Sequence, residues 1–137
     1  MKRLIFSLSA LLLCFGVFAQ PINDPNAEAR DVKQFHSIKV SHAIDVYLTQ
    51  GDKESLAVSA ADRKFVSQIK TEIKDGVLTI WHDGGDIHHA NTRKMKLKVY
   101  VSFVQLNDLD LGPGCHAYAE GEWKDADLKK KLFKSMK

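Results

Sequence analysis

Residues 95–103 read Met-Lys-Leu-Lys-Val-Tyr-Val-Ser-Phe, and this stretch decides the fold class. Its odd-numbered positions are all apolar, whereas lysine, tyrosine and serine occupy the even-numbered ones. Side chains along a β-strand point alternately to opposite faces, so the pattern predicts a strand with one buried face. Burial of each of these apolar side chains contributes about 1.5–3 kcal/mol. We therefore expect residues 95–103 to form a central strand of an all-β domain.

The same period of two runs through the residues that precede this strand. Residues 50–53, Gln-Gly-Asp-Lys, interrupt it with turn-forming composition. Residues 62–69 predict a short helical turn, for which Asp62 is a suitable N-cap. The remaining segments predict half-buried strands, whose inward-facing residues are Ile38, Val40, Ile44, Val46, Leu48, Leu56, Val58 and Ala60.

A β-hairpin is predicted over residues 69–81, which read Ile-Lys-Thr-Glu-Ile-Lys-Asp-Gly-Val-Leu-Thr-Ile-Trp. Two β-rich runs flank Asp75 and Gly76. Both turn residues tolerate the positive φ angles of a type I′ turn, which makes Asp-Gly between such runs a strong hairpin signal.

The pattern changes after residue 103. Residues 106–112 read Leu-Asn-Asp-Leu-Asp-Leu-Gly, with leucines separated by three and then two positions. This spacing is typical of a short coil that turns a corner and then forms one strand, as in β-solenoids. Residues 112–114, Gly-Pro-Gly, predict another turn, and Ala117 and Ala119 are suited to line the next short strand.

The N-terminal residues 1–19 have the layout of a signal peptide. Lys2 and Arg3 precede an uncharged apolar segment, and residues 17–19, Val-Phe-Ala, suit cleavage before Gln20. The apolar segment is too short to span a bilayer comfortably. We therefore expect export to the periplasm, the outer-membrane surface or the medium, with no transmembrane segment after cleavage.

The rest of the chain divides into three predicted parts. Residues 20–32 contain prolines and asparagines without periodicity, which predicts a flexible leader. Residues 33–123 form the β domain. Residues 124–137 predict a basic and poorly ordered tail, because no β alternation accompanies Lys129, Lys130, Lys131, Lys134 and Lys137.

Charge and cysteine content exclude some classes of protein. The chain has 20 Lys and Arg against 17 Asp and Glu, and signal cleavage would remove two of the cations and no acid. A balance near zero argues against a nucleic-acid protein that binds through bulk charge. Cleavage also leaves Cys115 as the sole cysteine, so the domain is expected to fold without an internal disulfide.

The order of these parts resembles that of the putative auto-transporter adhesin, head GIN domain family of exported bacterial envelope proteins. The resemblance covers about residues 33–123. It rests on the strand pair ending in Gln-Gly-Asp at 50–52, the hairpin, the strand at 95–101, and Leu-Asn-Asp-Leu-Asp-Leu-Gly-Pro-Gly at 106–114.

The resemblance implies strands that lead into a right-handed single-stranded β-helix of short rungs, and an adhesin-type role. It implies no catalytic residue and no cofactor. Members generally continue through more rungs, whereas this sequence reaches a lysine run after Leu128. We therefore expect a C-terminally shortened member whose open strand edges allow self-association.

Five potential metal ligands lie within residues 82–89. A zinc or copper site could use them, but their spacing matches no closed-site pattern, and two glycines make ordering of the loop costly. We expect a solvated loop and no metal, and metal binding is the lesser alternative. The five residues are His82, Asp83, Asp86, His88 and His89.

Cys115 and His116 raise the question of a thiol nucleophile with a histidine base. Adjacent strand residues point to opposite faces, so these two are not expected to meet. His36 and His42 are other histidines, but nothing in the sequence selects them. We expect no catalytic residue, and the prediction is that this protein is not an enzyme.

Exposed aromatic side chains give the best indication of a binding surface. Tyr47, Trp81 and Tyr100 lie on the parity opposite to the apolar face of their strands. Such rings can bind carbohydrate or peptide, or pack beneath a neighbouring sheet or rung. The sequence thus predicts a non-enzymatic envelope module that binds an unknown glycan or protein, the alternative being a structural or remnant domain without ligand.

Overall fold

The structure is a computed structural model that describes residues 24–41, 43–83 and 92–134. Strands dominate these residues, which confirms the predicted β-rich fold. The strands are β1 (Glu28–Arg30), β2 (Ser37–Val40), β3 (Asp45–Gln50), β4 (Ser55–Ser59), β5 (Ile69–Lys74), β6 (Val77–His82), β7 (Lys98–Phe103), β8 (Asp108–Leu111) and β9 (His116–Ala119). The helices are α1 (Arg63–Val66), α2 (Thr92–Met95) and α3 (Ala126–Lys134). Within the described residues, no helix combines the length and the apolar character needed to cross a bilayer.

The strands form two mixed sheets. The five-stranded sheet has the order β1-β4-β7-β3-β9, and the four-stranded sheet has the order β5-β6-β2-β8. In the first sheet β3 pairs in parallel with both β7 and β9, and in the second sheet β2 pairs in parallel with both β6 and β8. The strand over residues 98–103 therefore has neighbours on both sides, as its alternation predicts.

Two-strand units cross from one sheet to the other and stack on each other. The unit β8–β9 lies against the unit β2–β3, and their corners are also hydrogen bonded, from Gly112 N to Val40 O and from Ala43 N to Pro113 O. On the opposite side, β6 and β7 flank the same central unit. The stacking resembles the rungs of a solenoid, with the earliest unit of the chain in the middle.

A single-stranded right-handed β-helix, which the resemblance implied, is not shown by this arrangement. In such a helix each rung would stack on the rung that precedes it in the chain. Here β2–β3 lies between the unit that contains β6 and β7 and the unit that contains β8 and β9. The antiparallel pairs β5–β6, β4–β7 and β1–β4 widen the sheets further.

The core lies between the two sheets. Leu97, Val99, Val101 and Phe103 are all buried, which confirms most of the inward face predicted for the central strand. The strand predicted from residue 95 begins only at Lys98, because Met95 ends α2 and Lys96 has a left-handed backbone, and Met95 is partly buried. The predicted hairpin is also confirmed, since β5 and β6 pair around Asp75 and Gly76, both of which have positive φ angles. The short helix α1 begins at the predicted N-cap, where the Asp62 side chain accepts a hydrogen bond from Lys64 N.

Two terminal segments are more ordered than the sequence predicted. Within the leader predicted over residues 20–32, Glu28–Arg30 forms β1 and pairs with β4. Within the predicted disordered tail, Ala126–Lys134 forms α3, and Leu132 is buried. Trp123 explains the second difference, because its ring makes edge contacts with both Phe103 and Phe133 and so attaches the helix to the core. The proposed signal peptide at residues 1–19 lies outside the described residues.

Candidate ligand-binding face

Three tyrosines lie side by side on the outer face of the five-stranded sheet. Tyr47 on β3 is in direct register with Tyr100 on β7 and with Tyr118 on β9. Inward-facing valine, leucine and alanine alternate with them, so each tyrosine points away from the core. Parallel pairing of three strands therefore gathers residues that are distant in the sequence. We call Tyr100, Tyr47 and Tyr118 the tyrosine row.

The rings of the tyrosine row are stacked. The centroids of Tyr47 and Tyr100 are 5.3 Å apart with an interplanar angle of 24°, and those of Tyr47 and Tyr118 are 5.0 Å apart at 20°. These spacings are close to the distance between neighbouring strands. Each aromatic pair contributes about 0.5–1.5 kcal/mol beyond burial of its area. The row is thus a fixed surface in which each ring limits the motion of the next.

Exposure increases along the tyrosine row toward the sheet edge. Tyr100 and Tyr47 are partly buried, whereas Tyr118 on the edge strand β9 is 44% exposed. Stacking covers part of both faces of Tyr47, while Tyr118 has a ring neighbour on one side. A ligand can therefore contact ring edges along the row and a ring face at Tyr118.

A hydrogen-bond network fixes the inner end of the tyrosine row. The Tyr100 hydroxyl donates to Asp24 Oδ2 over 2.7 Å, and Asn26 N donates to Asp24 Oδ1 over 3.0 Å. Burial tends to raise the pKa of Asp24, but hydrogen bonds from Tyr100 and Ser59 outweigh burial and lower it. Burial, followed by the hydrogen bond to Asp24, raises the pKa of Tyr100 far above its ordinary value. Tyr100 is therefore neutral and Asp24 ionised at neutral pH.

Polar groups flank the tyrosine row toward the N-terminal ends of β7, β3 and β9. Asp45 lies in register between Lys98 and His116, and its Oδ1 is 3.4 Å from His116 Nδ1. Burial raises the pKa of Tyr47, and the carboxylate of Asp45 adds to that effect. The face thus combines aromatic rings with hydroxyl, carboxylate, imidazole and ammonium groups.

The comparison with family models decides the relationship of this chain to known proteins. Residues 34–135 match the model described as putative auto-transporter adhesin, head GIN domain. The chain belongs to this family. The match confirms the resemblance noted in the sequence, and it extends through α3. No curated protein matches the chain.

Solved structures share the head GIN fold. A putative adhesin from Bacteroides fragilis has 23% sequence identity and a TM-score of 0.59, over 69% of this chain and 43% of its own length. A putative adhesin from Parabacteroides merdae has 20% identity and a TM-score of 0.55, over 68% of this chain and 38% of its own. A putative adhesin from Parabacteroides distasonis has 23% identity and a TM-score of 0.52, over 66% of this chain and 38% of its own length. This chain therefore matches about two fifths of the length of these structures.

The head GIN fold brings together two of the three aromatic residues that the sequence singled out. Tyr47 and Tyr100 are stacked, whereas Trp81 lies on β6 in the other sheet. Alternation in the sequence did not single out Tyr118, the third member of the tyrosine row. Because Tyr118 alternates with Ala117 and Ala119, the sequence indicates that its side chain points outward. Only the parallel pairing of β9 with β3 places it beside Tyr47.

Of the five potential metal ligands within residues 82–89, the structure describes two. Asp86, His88 and His89 lie outside the described residues. His82 Nε2 is 2.9 Å from Gln68 Oε1, and Asp83 is exposed. Elsewhere in the described part of the chain, no group of three or more His, Cys, Asp or Glu side chains could hold a metal ion.

The surroundings of Cys115 do not favour a reactive thiolate. Its thiol is half-buried and donates a hydrogen bond to Ser41 O. Burial raises the pKa of the thiol, which disfavours the nucleophilic thiolate. His116 contacts Asp45 instead of the thiol, His36 Nδ1 is 3.0 Å from Ser37 Oγ, and His42 lies outside the described residues.

Proposed function

We propose that this chain is an exported, non-enzymatic binding module of the cell envelope that holds an external glycan on the tyrosine row. Family membership and neighbours named as putative adhesins support an adhesin-like role. The single observation that carries the choice of surface is the stacking of Tyr100, Tyr47 and Tyr118 on the outer face of a sheet.

The tyrosine row has the physical properties that surface recognition requires. A tyrosine offers a large amphipathic contact area but loses little conformational freedom, because it has only two side-chain torsions. Stacking restricts these torsions before any ligand arrives, so less entropy is lost on binding. Phenol hydroxyls donate and accept hydrogen bonds, and ring surfaces contact the apolar C–H groups of sugars.

Export and domain organisation form part of the same proposal. Residues 1–19 would direct the chain out of the cytoplasm and be cleaved before Gln20. The module that reaches the envelope would comprise the two sheets, including β1, together with α3. Binding by many weak contacts on a fixed β scaffold needs no reactive centre, and the raised pKa of the Cys115 thiol agrees with a non-catalytic role.

The experiment is a binding screen of the secreted, folded protein on an array of glycans and extracellular-matrix proteins. We expect binding to at least one glycan and loss of most of that signal in Tyr118→Ala. Val104→Ala is the matched control, because Val104 is 39% exposed and lies outside the tyrosine row. Equal binding by the two variants would contradict the proposed surface.

Two other results of the screen would also count against the proposal. Binding to matrix proteins alone would show that the ligand is a protein and not a glycan. Absence of binding by protein that shows a cooperative unfolding transition would favour a structural module without ligand.

A further inference from the structure

A polar cavity opens at the inner end of the tyrosine row. Its volume is about 330 Å³, and it lies between the N-terminal segment, the end of β4 and the start of β7. Tyr100 belongs both to this cavity and to the row, so the two surfaces are continuous. The other polar residues that line it are Asp24, Asn26, Ser59, Lys96 and Lys98.

The acidic and amide groups of the cavity are already engaged within the protein. Both Asp24 oxygens accept hydrogen bonds, one from the Tyr100 hydroxyl and one from Asn26 N. Asn26 Nδ2 donates to the backbone oxygens of Ala60 and Ala61. These contacts hold the segment around residue 24 against β4 and β7, so Asp24 serves as a fixed wall of the cavity.

The two lysines of the cavity are not engaged in this way. Neither Lys96 nor Lys98 forms an ion pair within 4.0 Å with another residue in the described part of the chain. The charge of Lys98 acts on Asp24 and helps to lower the pKa of that carboxyl. The exposed Lys96 is the second lysine of the lining, against one lining carboxylate. The lining therefore carries a net positive charge.

The backbone holds both lysines in place. Lys98 is in register with Ser59 on one side and with Asp45 on the other, inside the five-stranded sheet. Lys96 has a φ angle of 48°, in the left-handed region that residues other than glycine rarely adopt. Hydrogen bonds on either side of it, from Ala61 N to Met95 O and from Asp45 N to Leu97 O, maintain this conformation. A left-handed residue commonly follows the last residue of a helix, which here is Met95 of α2.

We propose that this cavity binds the anionic group of an acidic saccharide, with Lys96 and Lys98 as its ligands, while adjoining sugar rings lie along the tyrosine row. The proposal rests on the proposed function and specifies its ligand class. The two ring spacings of 5.3 Å and 5.0 Å place Tyr118 about 10 Å from Tyr100, so one short oligosaccharide can contact both. Ammonium groups form charge-assisted hydrogen bonds with carboxylate or sulfate.

The test is a calorimetric titration of the folded protein with trigalacturonate, with a sulfated chondroitin oligosaccharide, and with the methyl ester of trigalacturonate. We expect either anionic sugar to bind at least about tenfold more tightly than the uncharged ester, with affinity falling as salt is added. Both anionic sugars carry carboxylates and the chondroitin oligosaccharide carries sulfates in addition, so tighter binding of the second than of the first would show that sulfate contributes. The double variant Lys96→Gln/Lys98→Gln should lose this preference.

Lys39→Gln is the matched control, because Lys39 is an exposed strand lysine in the other sheet, and it should bind like the wild type. Thermal unfolding of all variants checks that each is folded. Equal affinity for the anionic sugars and the ester, with Tyr118→Ala still weakening both, would overturn this inference and leave the proposed function standing. Absence of binding to any sugar by the folded wild type would overturn both.

Discussion

The Tyr100 hydroxyl donates a hydrogen bond to Asp24 over 2.7 Å, across 76 positions of sequence. This contact joins the segment before β1 to the central strand of the five-stranded sheet. It also fixes the inner ring of the tyrosine row and one wall of the adjoining cavity. One hydrogen bond thus connects the fold to the surface for which we propose a ligand.

Tyr100→Phe tests the contribution of this contact to stability. Loss of a hydrogen bond to a carboxylate should lower the free energy of unfolding by about 1.5–3 kcal/mol. Tyr47→Phe is the matched control, since no hydrogen bond of the Tyr47 hydroxyl is found within the described residues, and it should change stability by less than about 0.5 kcal/mol. Urea denaturation measures both. Equal losses in the two variants would show that the hydrogen bond to Asp24 adds nothing.

Alkaline pH should destabilise the fold through Tyr100. Burial and the bond to Asp24 raise the pKa of Tyr100 in the folded state above the ordinary value of 10.0. The folded protein therefore holds this proton more tightly than the unfolded chain, so the stabilisation is fully present below pH 10.0 and is lost as pH rises toward the folded pKa. The free energy of unfolding should fall above pH 10.0 more steeply in the wild type than in Tyr100→Phe. Parallel pH profiles would contradict this assignment.

The sequence predicts which side chains of the tyrosine row point outward, but it does not predict which strands pair to bring them together. Alternation is local, so it correctly placed Val99 and Val101 inside and Tyr47 and Tyr100 outside. Strand pairing is not local. Nothing in residues 116–119 shows that β9 pairs with β3 and so brings Tyr118 against Tyr47.

The sequence did not predict the strand β1 or the helix α3, and the reason is the same for both: each depends on contacts with residues that are distant in the chain. A three-residue strand such as β1 has no periodicity to detect, and it exists because β4 offers an edge. The helix α3 is rich in lysine, and its few apolar residues indicate burial only once Trp123 and Phe103 are known to lie beside them.

Substitution of the glycine in the hairpin turn should destabilise the fold. Gly76 has a φ angle of 79°, and a Cβ placed there would lie 2.3 Å from His36 Nε2. Gly76→Ala should lower the free energy of unfolding by about 1–2 kcal/mol because of the left-handed backbone alone. Asp75→Asn is the control, since asparagine tolerates the φ angle of 54° at that position. Unchanged urea midpoints in both variants would show that this turn has another conformation.

The helix α3 should be docked in solution. Leu132 is buried, so Leu132→Ala should cost about 2–5 kcal/mol, whereas Lys131→Ala on the exposed side should have little effect. Hydrogen exchange of the amides in Ala126–Lys134 provides a direct measure. We expect protection in the wild type and its loss in Leu132→Ala. Rapid exchange in the wild type would support the disordered tail that the sequence predicted.

The most direct test of the proposed ligand-binding face is an NMR titration of the ¹⁵N-labelled domain with trigalacturonate. We expect the largest amide shifts at Tyr47, Tyr100 and Tyr118 and in the strands β3, β7 and β9 that carry them. Shifts concentrated instead on Trp81 and the strands β2, β6 and β8 of the other sheet would contradict the assignment of ligand binding to the tyrosine row.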